Sequence, residues 1–181
     1  MSFFNSILKF FIGDKTKKDI KSILPVVEEV KSFESEISKL NNDELREQTQ
    51  NFKSEIELSI NEIKSKIKEL KEAVDKTDDF DEKEELYTQI DECEEESYKI
   101  TEDTLNKILP KAFAVVKETA KRFYNNKEII VKATAFDREI SANKEYVQLN
   151  QDNAVWKNSW DAAGKPITWD MIHYDVQLIG G

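Results

Sequence analysis

Six apolar side chains between residues 56 and 74 are spaced four, three, four, three and four positions apart: Ile56, Ile60, Ile63, Ile67, Leu70 and Val74. An α-helix gathers such positions into one narrow line, whereas a strand would scatter them over both faces. A second seam with the same spacing follows at Leu86, Ile90, Cys93, Ser97, Ile100 and Thr104, weakened by Ser and Thr at two positions. Neither seam can be buried by its own helix. The polar break at residues 75–81 lets the two helices fold back as an antiparallel hairpin. Arms of roughly 30 residues would extend about 45 Å.

The flanking residues read differently on the two sides. Only 4 Gly and 3 Pro occur in 181 residues, so long helices with few breaks are expected. Residues 16–39 carry a helical stripe of Ile20, Ile23, Leu24, Val27, Val30 and Ile37, with Pro25 at a first turn or kink. Asn42, Asp43 and Glu44 restart a helix. Residues 110–124 read as another, with Pro110 near its first turn and Phe113, Val116, Ala120 and Phe123 on one face. Residues 129–131, 146–149 and 154–156 are then rich in β-branched and aromatic side chains. Turn residues lie at 150–153 and 163–166, and residues 167–169 read as a short strand. Residues 127–170 are thus expected to form a small antiparallel β unit within a helical chain, and the fold class is α+β. Gly180 and Gly181 follow an apolar run and read as the lead-in to another element, as though the chain were cut there.

Charge is distributed unevenly. The net charge is −10, which argues against nucleic acid as a partner. Yet residues 1–21 hold five lysines against two aspartates, and residues 81–103 hold eleven acids against two lysines. Phe3, Phe4, Ile7, Leu8 and Phe11 recur at helical spacing, with Ser2 as cap and Gly13 as stop. So short and apolar a helix needs a surface: lipid, a partner, or its own domain. Lys9, Lys15, Lys17, Lys18 and Lys21 favour an anionic one, each contributing about 1 kcal/mol near such a membrane. No apolar run is long enough to span a bilayer. The lone Cys93 and the lack of a signal peptide point to a reducing cytoplasm.

Independent catalysis has no basis in the residues. There is no Gly-x-x-x-x-Gly-Lys-Thr/Ser loop to cradle phosphate and no Gly-x-Gly-x-x-Gly turn. One His and one Cys cannot make a zinc site, and the acids of 81–103 lack the glycine and spacing of a calcium loop. No metal ligand and no catalytic residue is assigned.

Three segments carry a family pattern. They read Leu-Asn-Asn-Asp-Glu-Leu at 40–45, continued by Thr49 and Phe52; Leu-Pro-Lys-Ala-Phe-Ala-Val-Val-Lys-Glu at 109–118; and Met-Ile-His-Tyr-Asp-Val-Gln-Leu-Ile-Gly-Gly at 171–181. In order, they resemble the L-S-D-E-E-L, I-P-E-A-F-A-V-V-R-E and H-F-D-V-Q-L-x-G-G patterns of the SecA preprotein translocase ATPases. The resemblance covers about residues 1–56, 105–124 and 171–181. The hairpin and the β unit look like insertions.

The resemblance implies the N-terminal edge of a P-loop helicase-like motor domain, ending just before the phosphate loop. Its organisation would be an amphipathic helix at 1–14, a helical segment at 15–55, a coiled-coil hairpin at 56–108, a lead-in helix at 109–126, the β insertion at 127–170 and an adenine-reading segment at 171–181. The whole motor would use ATP with Mg²⁺ to drive preproteins through the SecYEG channel, working from the cytoplasm and bound peripherally to the inner membrane. The fragment alone would be inactive.

The same resemblance makes Gln177 the residue that reads adenine. A carboxamide offers an acceptor beside donors, which matches adenine N6 and N7 and mismatches guanine O6. Met171 and Tyr174 would line the slot for the ring. The residues alone leave open that Gln177 merely satisfies a nearby backbone group and that Met171 and Tyr174 only pack. Ile172 stands where the family often has Arg and carries no role, and His173 is given none. The N-terminal helix would touch acidic lipid and the channel, a homodimer stays open, and a non-enzymatic coiled-coil or peripheral membrane module is the alternative.

Overall fold

The computed structural model describes the backbone of residues 14–180 and the side chains from Ile20 onward. The helix expected at 1–14, with Phe3, Phe4, Ile7, Leu8, Lys9 and Phe11, lies outside the described residues, as do the side chains of Lys15, Lys17 and Lys18. The protein is mostly helical with small antiparallel sheets. Its residues divide into two compact units, Glu47–Ala112 and the chain on either side of that stretch.

Unit Glu47–Ala112 contains most of two helices, α2 (Asn42–Lys76) and α3 (Phe80–Asn125). The seams face inward: Ile60 and Val74 of α2 and Ile90, Cys93, Thr104 and Ile108 of α3 are buried. Burying each aliphatic side chain contributes about 1.5–3 kcal/mol. Ion pairs join Lys71 to Glu94 at 3.0 Å and Lys107 to Glu55 at 2.7 Å, so low numbers on one helix meet high numbers on the other and the arms run antiparallel. The polar seam position at Thr104 is tolerated because its hydroxyl donates to the Ile100 carbonyl at 2.8 Å. Residues 77–79 reverse the chain, and the Asp79 carboxylate accepts from the Asp81 and Glu82 amides at 2.9 and 3.1 Å, capping α3.

The other unit begins with α1 (Asp14–Ile37), whose Val27, Val30 and Ile37 are buried. The first turn of α2 is closed by a reciprocal box. Asn41 Oδ1 accepts from the Glu44 amide at 2.9 Å, and Glu44 Oε2 accepts from the Asn41 amide at 2.7 Å. Arg122, near the end of α3, donates to the Leu40 carbonyl at 2.6 Å and to Asn42 Oδ1 at 2.9 Å, while Lys117 pairs with Glu34 at 2.6 Å.

Strands β1 (Glu128–Lys132), β2 (Val147–Asn150) and β3 (Asn153–Lys157) form one antiparallel sheet in the order β1-β3-β2. Its buried residues are Val131, Val147 and Ala154. The outer edge of β1 is tied to the start of α2: Asn42 Nδ2 donates to the Ile130 carbonyl at 3.2 Å, and the Lys132 amide donates to Asp43 Oδ1 at 2.7 Å. Strands β4 (Ser159–Ala162) and β5 (Lys165–Thr168) make a separate antiparallel ribbon. Ala163 at φ +55° and Gly164 at φ +80° close its turn.

Two expectations need amending. Pro110 does not open a helix: α3 runs unbroken through it, so residues 109–126 are not a separate element. Pro110 is buried, and packing compensates for the hydrogen bond that its ring removes. Within 15–55 the chain turns at 38–41 and α2 begins at Asn42, where a helix was expected to restart. Within 127–170 a helix, α4 (Ala135–Ser141), precedes β2, and β4 forms where no strand was expected. The last segment ends in a helix, α5 (Asp175–Gly180).

Candidate functional site

The segment expected to read adenine folds around its own glutamine. Tyr174 is the residue before α5, and Gln177 is the third residue within it. Gln177 Oε1 accepts from the Tyr174 amide at 2.8 Å, which is one half of a capping box. Gln177 Nε2 approaches Met171 Sδ at 3.7 Å. Gln177, Met171 and Tyr174 are therefore brought together, and all three are exposed, Tyr174 to 72%. The alternative left open by the sequence, that Gln177 serves the backbone, describes its contact here.

That contact leaves room for a ligand. A carboxamide oxygen has two lone pairs and its NH₂ two protons. The Tyr174 amide uses one lone pair and Met171 draws on one proton. One lone pair and one N–H proton are left over by these two contacts, an acceptor and a donor of the types that adenine N6 and N7 would meet. The residues present thus fit the purine that the family pattern implies.

The segment is moored by groups that the sequence did not single out. Lys31 of α1 pairs with Asp175 at 2.6 Å, and Leu178 is buried. The hydrogen bond to Asp175 raises the Lys31 pKa, with Glu28 adding to it. Trp169 Nε1 donates to the Met171 carbonyl at 2.7 Å. His173, which carried no role, is partly buried, and its Nδ1 atom has no hydrogen-bond partner.

A second polar centre lies beside the sheet. Asp137 on α4 is fully buried, and its carboxylate collects five hydrogen bonds. Arg46 Nη1 and Nη2 donate at 2.8 and 2.9 Å, Trp156 Nε1 at 2.9 Å, and the Thr134 amide and hydroxyl each at 2.7 Å. Burial by itself pushes the Asp137 carboxyl up. The Arg46 guanidinium and the Thr134 and Trp156 donors outweigh it and hold the group far below the usual carboxylate range. Phe136 and Tyr146 flank Trp156, each with its ring centroid 6.3 Å away. With every lone-pair direction occupied, this centre is built to join α2, α4 and β3. The signal that could have found it is Thr-Ala-Phe-Asp at 134–137, a capping-box spacing that Thr134 and Asp137 satisfy.

Among the described residues no group of His, Cys, Asp and Glu is arranged to hold a metal ion, and no helix is long and apolar enough to cross a membrane.

The sequence pattern of the SecA DEAD-like domain matches residues 8–181. The chain belongs to that family. The protein translocase subunit SecA of Christiangramia forsetii is 57% identical over 181 residues, all of this chain and 16% of that protein. The same subunit of Flavobacterium psychrophilum is also 57% identical over 181 residues, again 16% of its length. That of Bacteroides fragilis is 42% identical over 178 residues, 98% of this chain and 16% of the relative. The family member described here thus spans about 16% of the length of these relatives, and the alignments run through the helical pair and the sheets. No solved structure matches it.

Proposed function

We propose that this chain is the N-terminal part of a SecA motor that couples ATP hydrolysis to movement of preproteins through the SecYEG channel. In this reading it forms the edge of a P-loop helicase-like motor domain. Gln177 reads the adenine edge, and Met171 and Tyr174 border the ring. ATP supplies the phosphoryl chemistry when bound. The Mg²⁺ site, the phosphate loop and the catalytic residues are supplied by the rest of the motor, and residues 1–181 are inactive by themselves. The N-terminal stretch, with Phe3, Phe4, Ile7, Leu8 and Phe11 beside Lys9, Lys15, Lys17 and Lys18, contacts anionic lipid and the channel. The motor works in the cytoplasm, attached peripherally to the inner membrane.

The observation that carries the nucleotide assignment is the Gln177 carboxamide, fixed by the Tyr174 amide with an acceptor and a donor to spare. The test is steady-state hydrolysis by the full-length protein carrying Gln177→Ala. We expect a raised KM for ATP and loss of preference for ATP over GTP. Equal use of ATP and GTP both before and after the change would overturn the assignment.

A further inference from the structure

Between β5 and α5 the chain runs through residues 169–174 without helix or strand. Such a stretch has no backbone ladder to fix it, so other hydrogen bonds must do so. Met171 and Tyr174 lie within it, and Gln177 follows three residues later. Its entry is held by Trp169. The Trp169 amide donates to the Asn158 carbonyl at 2.7 Å, and Trp169 Nε1 donates to the Met171 carbonyl at 2.7 Å. The Met171 sulfur in turn meets Gln177 Nε2 at 3.7 Å. Trp169 therefore sets the main chain of the residue that touches the glutamine.

Asn158 anchors Trp169. Its own amide donates to the Lys127 carbonyl at 2.9 Å, and its Nδ2 donates to the Phe123 carbonyl at 3.1 Å. One residue thus joins both ends of the β unit, at Lys127 and at Trp169, to the last turns of α3. On the far side of the segment, Lys31 pairs with Asp175 at 2.6 Å and Leu178 is buried. Asn158, Trp169 and Lys31 all lie outside the three stretches that carry the family pattern. A binding segment that must be ordered when its ligand arrives loses affinity to that ordering, and one that is already held does not.

We propose that the β unit serves the nucleotide site, with Trp169 as the positioning residue that presets Met171 and, through it, Gln177 for the adenine ring. The proposal rests on the reading of Gln177 given above. Trp169 itself touches no nucleotide. Loss of its N–H should raise KM for ATP and leave kcat unchanged, because the adenine edge is bound alike before and during phosphoryl transfer.

The experiment is steady-state ATP hydrolysis by the full-length protein carrying Trp169→Phe, which keeps an aromatic ring and deletes the N–H. KM should rise about threefold to tenfold, the worth of one hydrogen bond, with kcat and thermal unfolding unchanged. Added to Gln177→Ala, the same change should have little further effect, because the two residues act through one contact. Asn158→Ala loosens the anchor while leaving Trp169 in place and should shift KM in the same direction, so the test survives a Trp169→Phe protein that fails to fold. A wild-type KM in both the Trp169 and Asn158 variants, beside a raised KM in Gln177→Ala, would overturn this proposal and leave the nucleotide reading standing. An equal rise with and without Gln177 would overturn it too. An unchanged KM in Gln177→Ala would remove both together.

Discussion

Replacing Asp137 by Asn removes one charge while keeping the shape of the side chain, and the geometry fixes what that costs. One carboxylate oxygen receives Arg46 Nη2 and Trp156 Nε1; the other receives Arg46 Nη1 and the Thr134 amide and hydroxyl. An Asn must turn its NH₂ toward one of these sets. Either choice deprives at least two N–H donors of their acceptor. Each lost partner costs about 1–3 kcal/mol in a buried site, and disrupting a buried pair typically costs about 3–5 kcal/mol. We expect a loss of about 3–4 kcal/mol, or a Tm lower by about 10 °C at this chain length. Near-UV circular dichroism follows it directly, because Trp156 is one of the partners. The acid limb gives a second readout. The folded carboxyl is depressed below its unfolded value, so its stabilisation is complete above about pH 4 and is lost as pH falls further toward the folded pKa. The wild-type chain should therefore weaken more steeply below about pH 4 than the Asn variant. A loss under about 1 kcal/mol, or parallel acid limbs, would refute this account of the centre.

Other substitutions separate the two faces of the helical pair and test the ribbon. Ile60→Ala, at a buried seam position, should cost about 2–4 kcal/mol in urea unfolding. Leu58→Ala, where the side chain is 75% exposed, should change stability by less than about 0.5 kcal/mol. Ala163→Asn should raise stability by about 0.5–1 kcal/mol, because Ala163 sits at φ +55° ahead of Gly164 and Asn tolerates that region. Thermal unfolding of each purified variant reads these differences.

What was legible in the sequence was whatever rests on spacing. The seams of Ile60, Val74, Ile90 and Cys93 face inward because a period near 3.5 admits one helical line, whatever the rest of the chain does. The restart at Asn42 and the strands around Ile130, Leu149 and Val155 followed from equally local signals. Pro110 misled because a proline's local cost was read without its burial, and that burial is a property of the packed unit. The ribbon strand Ser159–Ala162 has little β character of its own and is held by pairing with Lys165–Thr168. The Asp137 centre joins residues as far as 91 positions apart; one of its corners had a local signature and the others had none. For Gln177 the family pattern supplied the residue. Only the fold showed that its oxygen is already tied to the backbone before any ligand arrives.

That prior attachment separates two roles that the Ala substitution merges. Gln177→Ala removes both the cap on α5 and the edge that meets adenine, so a raised KM could come from either. Gln177→Glu does not share the ambiguity. A carboxylate still accepts from the Tyr174 amide, and its charge suits a helix N-terminus, so α5 should keep its start. It has no proton to offer adenine N7, while it can still accept from N6. If Gln177 reads the purine, the full-length Glu variant should show a KM for ATP raised by roughly the value of one lost hydrogen bond, about tenfold, with unchanged thermal unfolding of residues 1–181. If instead Gln177 only caps α5, the Glu variant should hydrolyse ATP with the wild-type KM and the Ala variant alone should suffer. That second pattern would remove adenine recognition from this residue and leave it a helix cap.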